Sequence, residues 1–328
     1  MIITRTPFRM SFFGGGSDLP AYYEENGGSV LSTSINKYMY INLHKKFDEG
    51  VRLAYSKIEE VEHADELQHP LVRNCLKYFN VDGGIEVSSI ADIPAKGTGL
   101  GSSSSYTVGL VKAISAYKNI ILSKYEVADI ACEIEIQMCG EPIGKQDQFA
   151  ASFGGFNCFK FNKDCVKAEP LELPQSLIHH LSASLVSVYT GNCRAASSLL
   201  RDQSEQIKDE QKSLIQRKMV DMVSEGIQIL HREDIKAFGQ LLHESWSLKK
   251  QLTNKITNTQ IDEIYEIGMN SGAWGGKLLG AGMGGFITFI TEPANVPELK
   301  NALSRYKLID LLPEQGGSKI LYNSDGDT

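Results

Sequence analysis

The feature that most constrains this chain is a glycine- and serine-rich segment that runs directly into an apolar helical pattern. Gly97, Gly99 and Gly101 permit the positive φ angles and the close backbone approach that a loop wrapped around an anion requires. Four apolar residues then recur every three positions, which predicts a helix with one buried face: Val108, Val111, Ile114 and Tyr117. A flexible linker does not run straight into such a helix, so the segment predicts a structured loop at a helix N-terminus.

A loop of this kind favours negatively charged ligands. The free N–H groups and the dipole of a helix start attract phosphate, and the hydroxyls of Ser102–Ser105 are able to bind phosphate oxygens or a magnesium ion. A Walker A loop would need a lysine after its last glycine, but Ser102 follows Gly101 here. The sequence therefore predicts a phosphate-binding loop of another class.

Two further glycine clusters lie at residues 6–20 (TPFRMSFFGGGSDLP) and 277–289 (KLLGAGMGGFITF). In the first, Gly14–Gly16 end a strand-like start and bring the backbone close to a ligand, with Arg9 and Asp18 as polar contacts. A β-turn with solvated charges is the alternative. The second cluster predicts a tight turn that feeds a buried strand, and a purely structural turn is its alternative.

Two carboxylates stand out against this background. A helix is predicted to start at a capping box formed by Ser123 and Glu126, and on its helical wheel Glu135 lies inside the apolar arc whereas Glu133 points to water. A buried carboxylate is costly unless it is paired or bound to metal, so Glu135 is either a magnesium ligand or part of a buried salt bridge. Asp147, in QDQFAASFGG, either meets a substrate hydroxyl or caps a helix.

Composition excludes several classes of protein. The chain has 33 Lys and Arg against 40 Asp and Glu, a formal net charge of −7, which argues against partners such as nucleic acid or a membrane surface. No uncharged stretch reaches the length of a membrane span, and the N-terminus lacks the apolar region of a signal peptide. The six cysteines form no CxxC pair, which favours reduced thiols in a cytoplasmic protein.

The order of predicted elements favours an α+β protein in two halves, because strands and helices mix without regular βαβ alternation. Pro170 and Pro174 interrupt the pattern of strands and helices, and we place the domain boundary there, between residues 1–172 and 173–328. Strands are predicted at Tyr38–Lys45, Ile85–Ile90, Phe156–Phe161, Ala183–Tyr189 and Phe286–Ile290. Helical patterning runs from about Ala195 to Leu252 with a break near Arg232–Asp234, and again over Thr259–Ser271.

Together and in this order, the three glycine clusters resemble the motifs of the GHMP kinase superfamily. Its phosphate loop, in which Gly-x-Gly-Leu-Gly-Ser-Ser follows shortly after a proline, is matched from Pro94 to Ser103. Its first motif overlays Thr6–Asp18, and its third, Lys-x-x-Gly-Ala-Gly-x-Gly-Gly, is matched from Lys277 to Gly285. The resemblance implies an N-terminal domain like domain 2 of ribosomal protein S5 and a ferredoxin-like C-terminal domain.

The resemblance also implies roles for individual residues. ATP would be bound through Lys96, Gly97, Thr98, Gly99, Leu100, Gly101, Ser102, Ser103 and Ser104. Ser103 and Glu135 match the magnesium ligands, and Arg9 matches a basic residue near the γ-phosphate. Asp147 matches the carboxylate that accepts the proton of the substrate hydroxyl, or at least orients that hydroxyl. The substrate would meet Gly15, Gly16, Asp18, Asp147 and Gly282.

Within the superfamily, several stretches resemble the branch of D-glycero-D-manno-heptose 7-phosphate kinases: GGGSDLP, QDQFAASFGGFN, YTGNCRAAS and WSLKKQLTNKI. Gly14–Gly16 stand where galactokinases have Gly-Glu-His, so those sugar contacts are missing. The fucokinase branch shares the QDQ pattern and is the nearest competitor. Arg194 would anchor the substrate phosphate, or form a surface salt bridge. A non-catalytic ATP-binding regulator stays open as a different class, as does association into a homo-oligomer.

Overall fold

Two sheets organise the computed structural model, which describes residues 1–94, 97–191, 201, 209–253 and 255–324. Among these residues, the first sheet has nine strands and the second has four. The first half of the chain contributes strands β1 to β7: Ile2–Phe13, Gly28–Lys45, Val51–Ala54, Ile58–Val61, Ile85–Ala91, Phe156–Phe161 and Val166–Pro170. Its helices are α1 to α5: Pro20–Asn26, Pro70–Tyr78, Ser102–Tyr117, Lys124–Cys132 and Gln146–Phe153.

The second half contributes the strands of the smaller sheet and the last two strands of the first sheet. Its helices are α6 to α10: Gln175–Ser184, Glu210–His231, Ile235–Leu252, Thr259–Asn270 and Val296–Ala302. Its strands are β8 to β13: Leu185–Tyr189, Ala273–Leu278, Phe286–Thr291, Lys307–Ile309, Pro313–Glu314 and Lys319–Asn323. The smaller sheet has the order β11-β8-β10-β9 with antiparallel neighbours. The mixture of helices with largely antiparallel strands confirms the predicted α+β class.

The longer sheet follows the order β13-β1-β2-β5-β3-β4, with β6 and β12 also paired to β2. Strand β1 pairs antiparallel with β2 along its length, from Ile2 opposite Leu43 to Phe13 opposite Leu31. The last two strands return to this sheet, since β12 pairs with β2 and β13 pairs with β1. Residues 313–323 thus lie in the first sheet, while the division of the chain after residue 172 stays a prediction.

Most local predictions from the sequence agree with the structure. The capping box of Ser123 and Glu126 opens α4 with both of its reciprocal hydrogen bonds. The break between α7 and α8 falls at residues 232–234 as expected. One detail differs, because α6 runs to Ser184 and delays strand β8 to Leu185. Most of the helical pattern predicted over 195–208 lies outside the described residues.

The hydrophobic core continues from one half of the chain to the other. At the end of β1, the rings of Phe12 and Phe13 pack edge-on against Phe238 of α8, with centroids 5.1 and 5.2 Å apart. These contacts hold α8 over the end of the strand that carries Arg9. Among the described residues, no helix combines the length and apolar character that a membrane crossing requires.

Candidate active site

The glycine-rich loop before α3 adopts the conformation that the sequence predicts. Gly97, Gly99 and Gly101 have φ angles of 67°, 72° and 74°. Gly101 is the residue that precedes the helix, and no side chain caps its first turn. The first N–H groups of α3 are therefore left for a ligand, as in anion sites at helix N-termini. Lys96, which was expected in this loop, lies outside the described residues.

Glycine is required in this loop because other backbone segments pack directly on it. A Cβ atom added at Gly99 would lie 2.2 Å from the carbonyl oxygen of Leu279. A Cβ added at Gly101 would lie 3.2 Å from a carboxylate oxygen of Asp147 and 3.3 Å from Cγ of Arg9. The turn between β9 and β10 therefore packs against the phosphate loop at Gly99, and Arg9 and Asp147 pack against the loop at Gly101.

Substitution of Gly99 by alanine is expected to lower both stability and nucleotide affinity. Gly140→Ala is the matched control, because Gly140 has a similar φ of 69° but no atom within 4 Å of its added Cβ. The control should lose about 1–2 kcal/mol, the cost of a left-handed residue. Gly99→Ala should lose more in urea denaturation, and should bind an ATP analogue at least about 10-fold more weakly. Equal losses in the two variants would contradict the close packing of the loop.

Arg9 and Asp147 form a two-pronged ion pair beside the loop. The Nε and Nη2 atoms of Arg9 donate to the two carboxylate oxygens of Asp147 at 2.7 and 2.8 Å. A third donor, Nη1, reaches the carbonyl of Gly99, and the backbone N–H of Arg9 donates to the carbonyl of Leu100 at 3.0 Å. Asp147 is the second residue of α5 and makes no capping bond, so its alternative role as a helix cap is wrong.

Glu135 lies at the opposite side of the α3 N-terminus and is fully buried. Its two carboxylate oxygens accept hydrogen bonds from the Ser103 hydroxyl at 2.7 Å and from the Gln148 amide at 2.6 Å. Burial raises the pKa of Glu135 to about 7 despite these donors. Among the described residues it has no cationic partner, which argues against the salt-bridge alternative. Glu133 is exposed, as the helical wheel predicted.

Local helix geometry contributes to the position of Glu135. The helix that starts with α4 widens into a π-helix over Glu133–Met138, an irregularity that often marks functional sites. The carboxylate and the Ser103 hydroxyl supply the hard oxygen donors that magnesium prefers. Since no group of three or more His, Cys, Asp or Glu side chains converges within the described residues, an ion here would take its other ligands from phosphates and water.

Asp18 lies near Asp147 and is almost completely buried. Its carboxylate accepts hydrogen bonds from the backbone N–H of Gly16 at 3.1 Å and from the side-chain amide and backbone N–H of Gln146 at 3.0 and 3.2 Å. Burial, and then the charge of Asp147, raise the pKa of Asp18 to about 6. Arg9 and Asp18 are both buried, so the alternative of solvated charges around a simple turn is wrong.

The other residues that were expected to contact the substrate are Gly15, Gly282 and Arg194. Among the described residues, a Cβ added at Gly15 would meet only the Ser11 hydroxyl, at 3.7 Å. Gly282 lies against the backbone of Ile256, 3.0 Å from its carbonyl oxygen when a Cβ is added, and its role toward a substrate stays a prediction. Arg194 lies outside the described residues.

Two lysines near this site were not identified from the sequence. Lys249 on α8 is 7% exposed, and its ammonium donates to the carbonyl of Gly280 in the turn that packs on the phosphate loop. Lys277 on β9 is also buried and donates to the carbonyl of Phe12 at 2.7 Å. Lys277 belongs to the third glycine motif, but no role had been assigned to either ammonium.

Comparison with known proteins agrees with this geometry. Models of the GHMP kinase N-terminal and C-terminal domains match residues 69–155 and 227–308. A D-glycero-alpha-D-manno-heptose 7-phosphate kinase of Campylobacter jejuni is 31% identical over 93% of both chains. A bifunctional fucokinase/GDP-fucose pyrophosphorylase of Arabidopsis thaliana is 25% identical over 93% of this chain and 31% of its own length.

The fold is also found in solved structures. The crystal structure of a D-glycero-D-manno-heptose 1-phosphate kinase from Bacteroides thetaiotaomicron superposes with a TM-score of 0.77, at 24% identity, covering 98% of this chain and 99% of that one. The second and third glycine motifs lie within the residues that the two domain models match. The chain therefore belongs to the GHMP kinases, a family of ATP-dependent kinases.

Proposed function

We propose that this kinase transfers the γ-phosphoryl group of ATP to the C1 hydroxyl of D-glycero-D-manno-heptose 7-phosphate and forms the 1,7-bisphosphate. Such a product would serve the synthesis of nucleotide-activated heptose for surface polysaccharide. The observation that carries the chemistry is the contact of Gly101, at the start of α3, with the Arg9–Asp147 pair. It brings a phosphate-binding loop, a cation and a carboxylate together at one point.

The roles of the residues follow from what phosphoryl transfer requires, which is positioning and charge neutralisation more than covalent chemistry. Backbone N–H groups of residues 97–103 would hold the β- and γ-phosphates. Arg9 would offset the negative charge that develops on the transferred group. Asp147 would accept or orient the proton of the C1 hydroxyl, which is more acidic than an ordinary alcohol. Magnesium, when bound by Ser103 and Glu135, would neutralise phosphate oxygens.

The choice of substrate rests on the first glycine motif and on the relatives. Gly15 leaves space beside Asp18 where galactokinases would place larger polar side chains. The relative from Campylobacter jejuni carries a heptose 7-phosphate kinase name and matches nearly the whole chain. The match to the Arabidopsis fucokinase favours L-fucose as the second candidate substrate. Asp18, held rigidly by Gln146, would contact a sugar hydroxyl in either case.

A coupled assay of ADP release across D-glycero-D-manno-heptose 7-phosphate, L-fucose, D-galactose and mevalonate tests this proposal. We expect the highest kcat/KM with the heptose phosphate. A higher kcat/KM with L-fucose would replace the proposed substrate by the second candidate. Tight binding of ATP without turnover of any acceptor would support a non-catalytic regulator instead.

The proposed magnesium ligands make a separate prediction. Ser103→Ala and Glu135→Gln are each expected to raise the magnesium concentration for half-maximal rate by at least about 10-fold, the scale on which metal sites respond to altered ligation. Glu133→Gln is the matched control, because that carboxylate lies two residues away and is exposed. A magnesium titration of the two variants that overlays that of the control would remove Ser103 and Glu135 as ligands.

A further inference from the structure

The buried ammonium of Lys249 lacks the partner that such a group normally has. Burying a charge is costly unless it is paired, and an opposite charge usually lies beside a buried lysine. Within the described part of the chain, Lys249 forms no ion pair, and its one hydrogen-bond acceptor is the carbonyl of Gly280. At least one of its three N–H donors is therefore available to a ligand.

The position of Lys249 points to the kind of ligand. Its partner Gly280 packs on the phosphate loop, since a Cβ added at Gly280 would lie 2.3 Å from Cα of Gly99. The guanidinium of Arg9 donates to the carbonyl of the same Gly99. The ammonium of Lys249 thus lies near the Gly99 part of the phosphate loop, where the charges of Arg9 and of the proposed sugar contact Asp18 both act on it.

Two other basic side chains, Arg9 and Lys277, lie near Lys249. Burial and then the charge of Arg9 lower the pKa of Lys249 to about 8, with Asp18 acting in the opposite direction. On β9, burial and then the charges of Lys249 and Arg9 lower the pKa of Lys277 well below its usual value. Three basic side chains therefore converge from β1, α8 and β9, and among them only Arg9 has a carboxylate partner within the described residues.

We propose that Lys249 is an anchor for a phosphate dianion bound beside the phosphate loop. A dianion would pair with the ammonium of Lys249, which has no ion-pair partner among the described residues, and it accepts several hydrogen bonds. Two sources offer the same chemistry, namely the γ-phosphate of ATP and the phosphate already present on a sugar phosphate. The inference depends on the proposed function only for the identity of that sugar.

Calorimetric titration of the full-length protein, wild type against Lys249→Met, separates the two sources. One arm compares the non-hydrolysable analogue AMP-PNP with ADP, both with magnesium. The other compares D-glycero-D-manno-heptose 7-phosphate with the unphosphorylated heptose. In one of the two pairs, we expect Lys249→Met to weaken binding of the member with the additional phosphate, AMP-PNP or the heptose 7-phosphate, by about 10- to 100-fold. That is the scale of a hydrogen bond to a charged group, and the other member of the pair should bind nearly unchanged.

Lys250→Met is the matched control. Lys250 is the next residue of the same helix, but it is only partly buried and pairs with Asp262 at 3.8 Å. This variant should bind all four ligands as the wild type does. Lys249→Arg keeps the charge and should retain part of the affinity, which separates the loss of charge from the loss of packing.

Proton uptake provides a readout that a merely structural role would not change. With a pKa of about 8, Lys249 is about half protonated at pH 8. A phosphate dianion favours the charged form, so the wild type should take up a fraction of a proton when the anchored ligand binds. The binding enthalpy should then vary with the ionisation enthalpy of the buffer in the wild type, and less in Lys249→Met. If the methionine variant does not fold, Lys249→Arg serves as the comparison, because its guanidinium stays protonated and takes up no proton.

The outcomes also separate this inference from the proposed function. Unchanged affinities in both arms, or equal losses for ADP and AMP-PNP and for the two heptoses, would overturn the phosphate anchor, even if the heptose phosphate is a good substrate. A selective loss for AMP-PNP would support the anchor even if the heptose phosphate is not turned over.

Discussion

Replacement of Asp147 by alanine is expected to lower kcat by about 10²- to 10⁴-fold, the usual contribution of a positioned general base, while an ATP analogue still binds. The reason is that this carboxylate lies beside the phosphate loop, where the acceptor hydroxyl must meet the γ-phosphate. Asp147→Asn, which retains an acceptor for Arg9 but has no negative charge, should lose activity to a similar extent. Steady-state kinetics with the preferred acceptor and a nucleotide titration check both expectations.

The control for this experiment is Asp164→Ala, which removes a carboxylate from an exposed turn. Thermal unfolding should accompany the kinetics, because the alanine variant leaves the guanidinium of Arg9 buried without its partner. Breaking a buried pair in this way costs about 3–5 kcal/mol, so rates should be compared below the unfolding transition. Near-normal turnover of a folded Asp147→Ala protein would remove Asp147 from the reaction.

Arg9→Met is expected to lower kcat by about 10²- to 10³-fold. Enzymes lose about this much when one preorganised hydrogen-bond donor to a developing negative charge is removed. Arg9→Lys should recover only part of the activity, because an ammonium cannot reproduce the two parallel bonds to Asp147. The double variant Arg9→Met/Asp147→Ala should be about as slow as the slower single variant, since residues that act as a unit give non-additive losses. Losses that multiply would indicate that the two side chains act independently.

Much of this site could be predicted from local sequence patterns, because the phosphate loop and the start of α3 are formed by consecutive residues. The positive φ angles of Gly97, Gly99 and Gly101 and the uncapped start of α3 follow from residues 97–105, and the structure has them as predicted. The burial of Glu135 follows from helical spacing, although the helix widens there into a π-helix that the wheel did not include. The catalytic and binding roles of these residues stay predictions.

Lys249 is a residue of the site that was not predicted, although the sequence contains the helical spacing that places it on a buried face. Two adjacent lysines near the end of a helix are most simply interpreted as a solvated face. Yet Lys249 follows Leu242 by seven residues and Trp246 by three, so it lies on the buried face that these residues define, whereas Lys250 does not. The same wheel that selected Glu135 would have selected Lys249.

The contacts of the glycine-rich turns could not be predicted in the same way. The packing of Gly280 on Gly99 joins segments that are far apart in the chain, and no local pattern specifies such a pairing. The same limit applies to the exposed strand β13, whose few residues pair with β1 from the other end of the chain. Local sequence propensity therefore predicts neither the packing of Gly280 on Gly99 nor the pairing of β13 with β1.

The pairing of β13 with β1 has a consequence for how the protein is made. Strand β1 is translated long before its second neighbour, β13, which lies at Lys319–Asn323. Until those residues are made, one side of β1 presents unpaired N–H and C=O groups, the kind of edge that recruits other chains. Incomplete chains that lack β13 are therefore expected to aggregate more readily than chains in which the strand that carries Arg9 is paired on both sides.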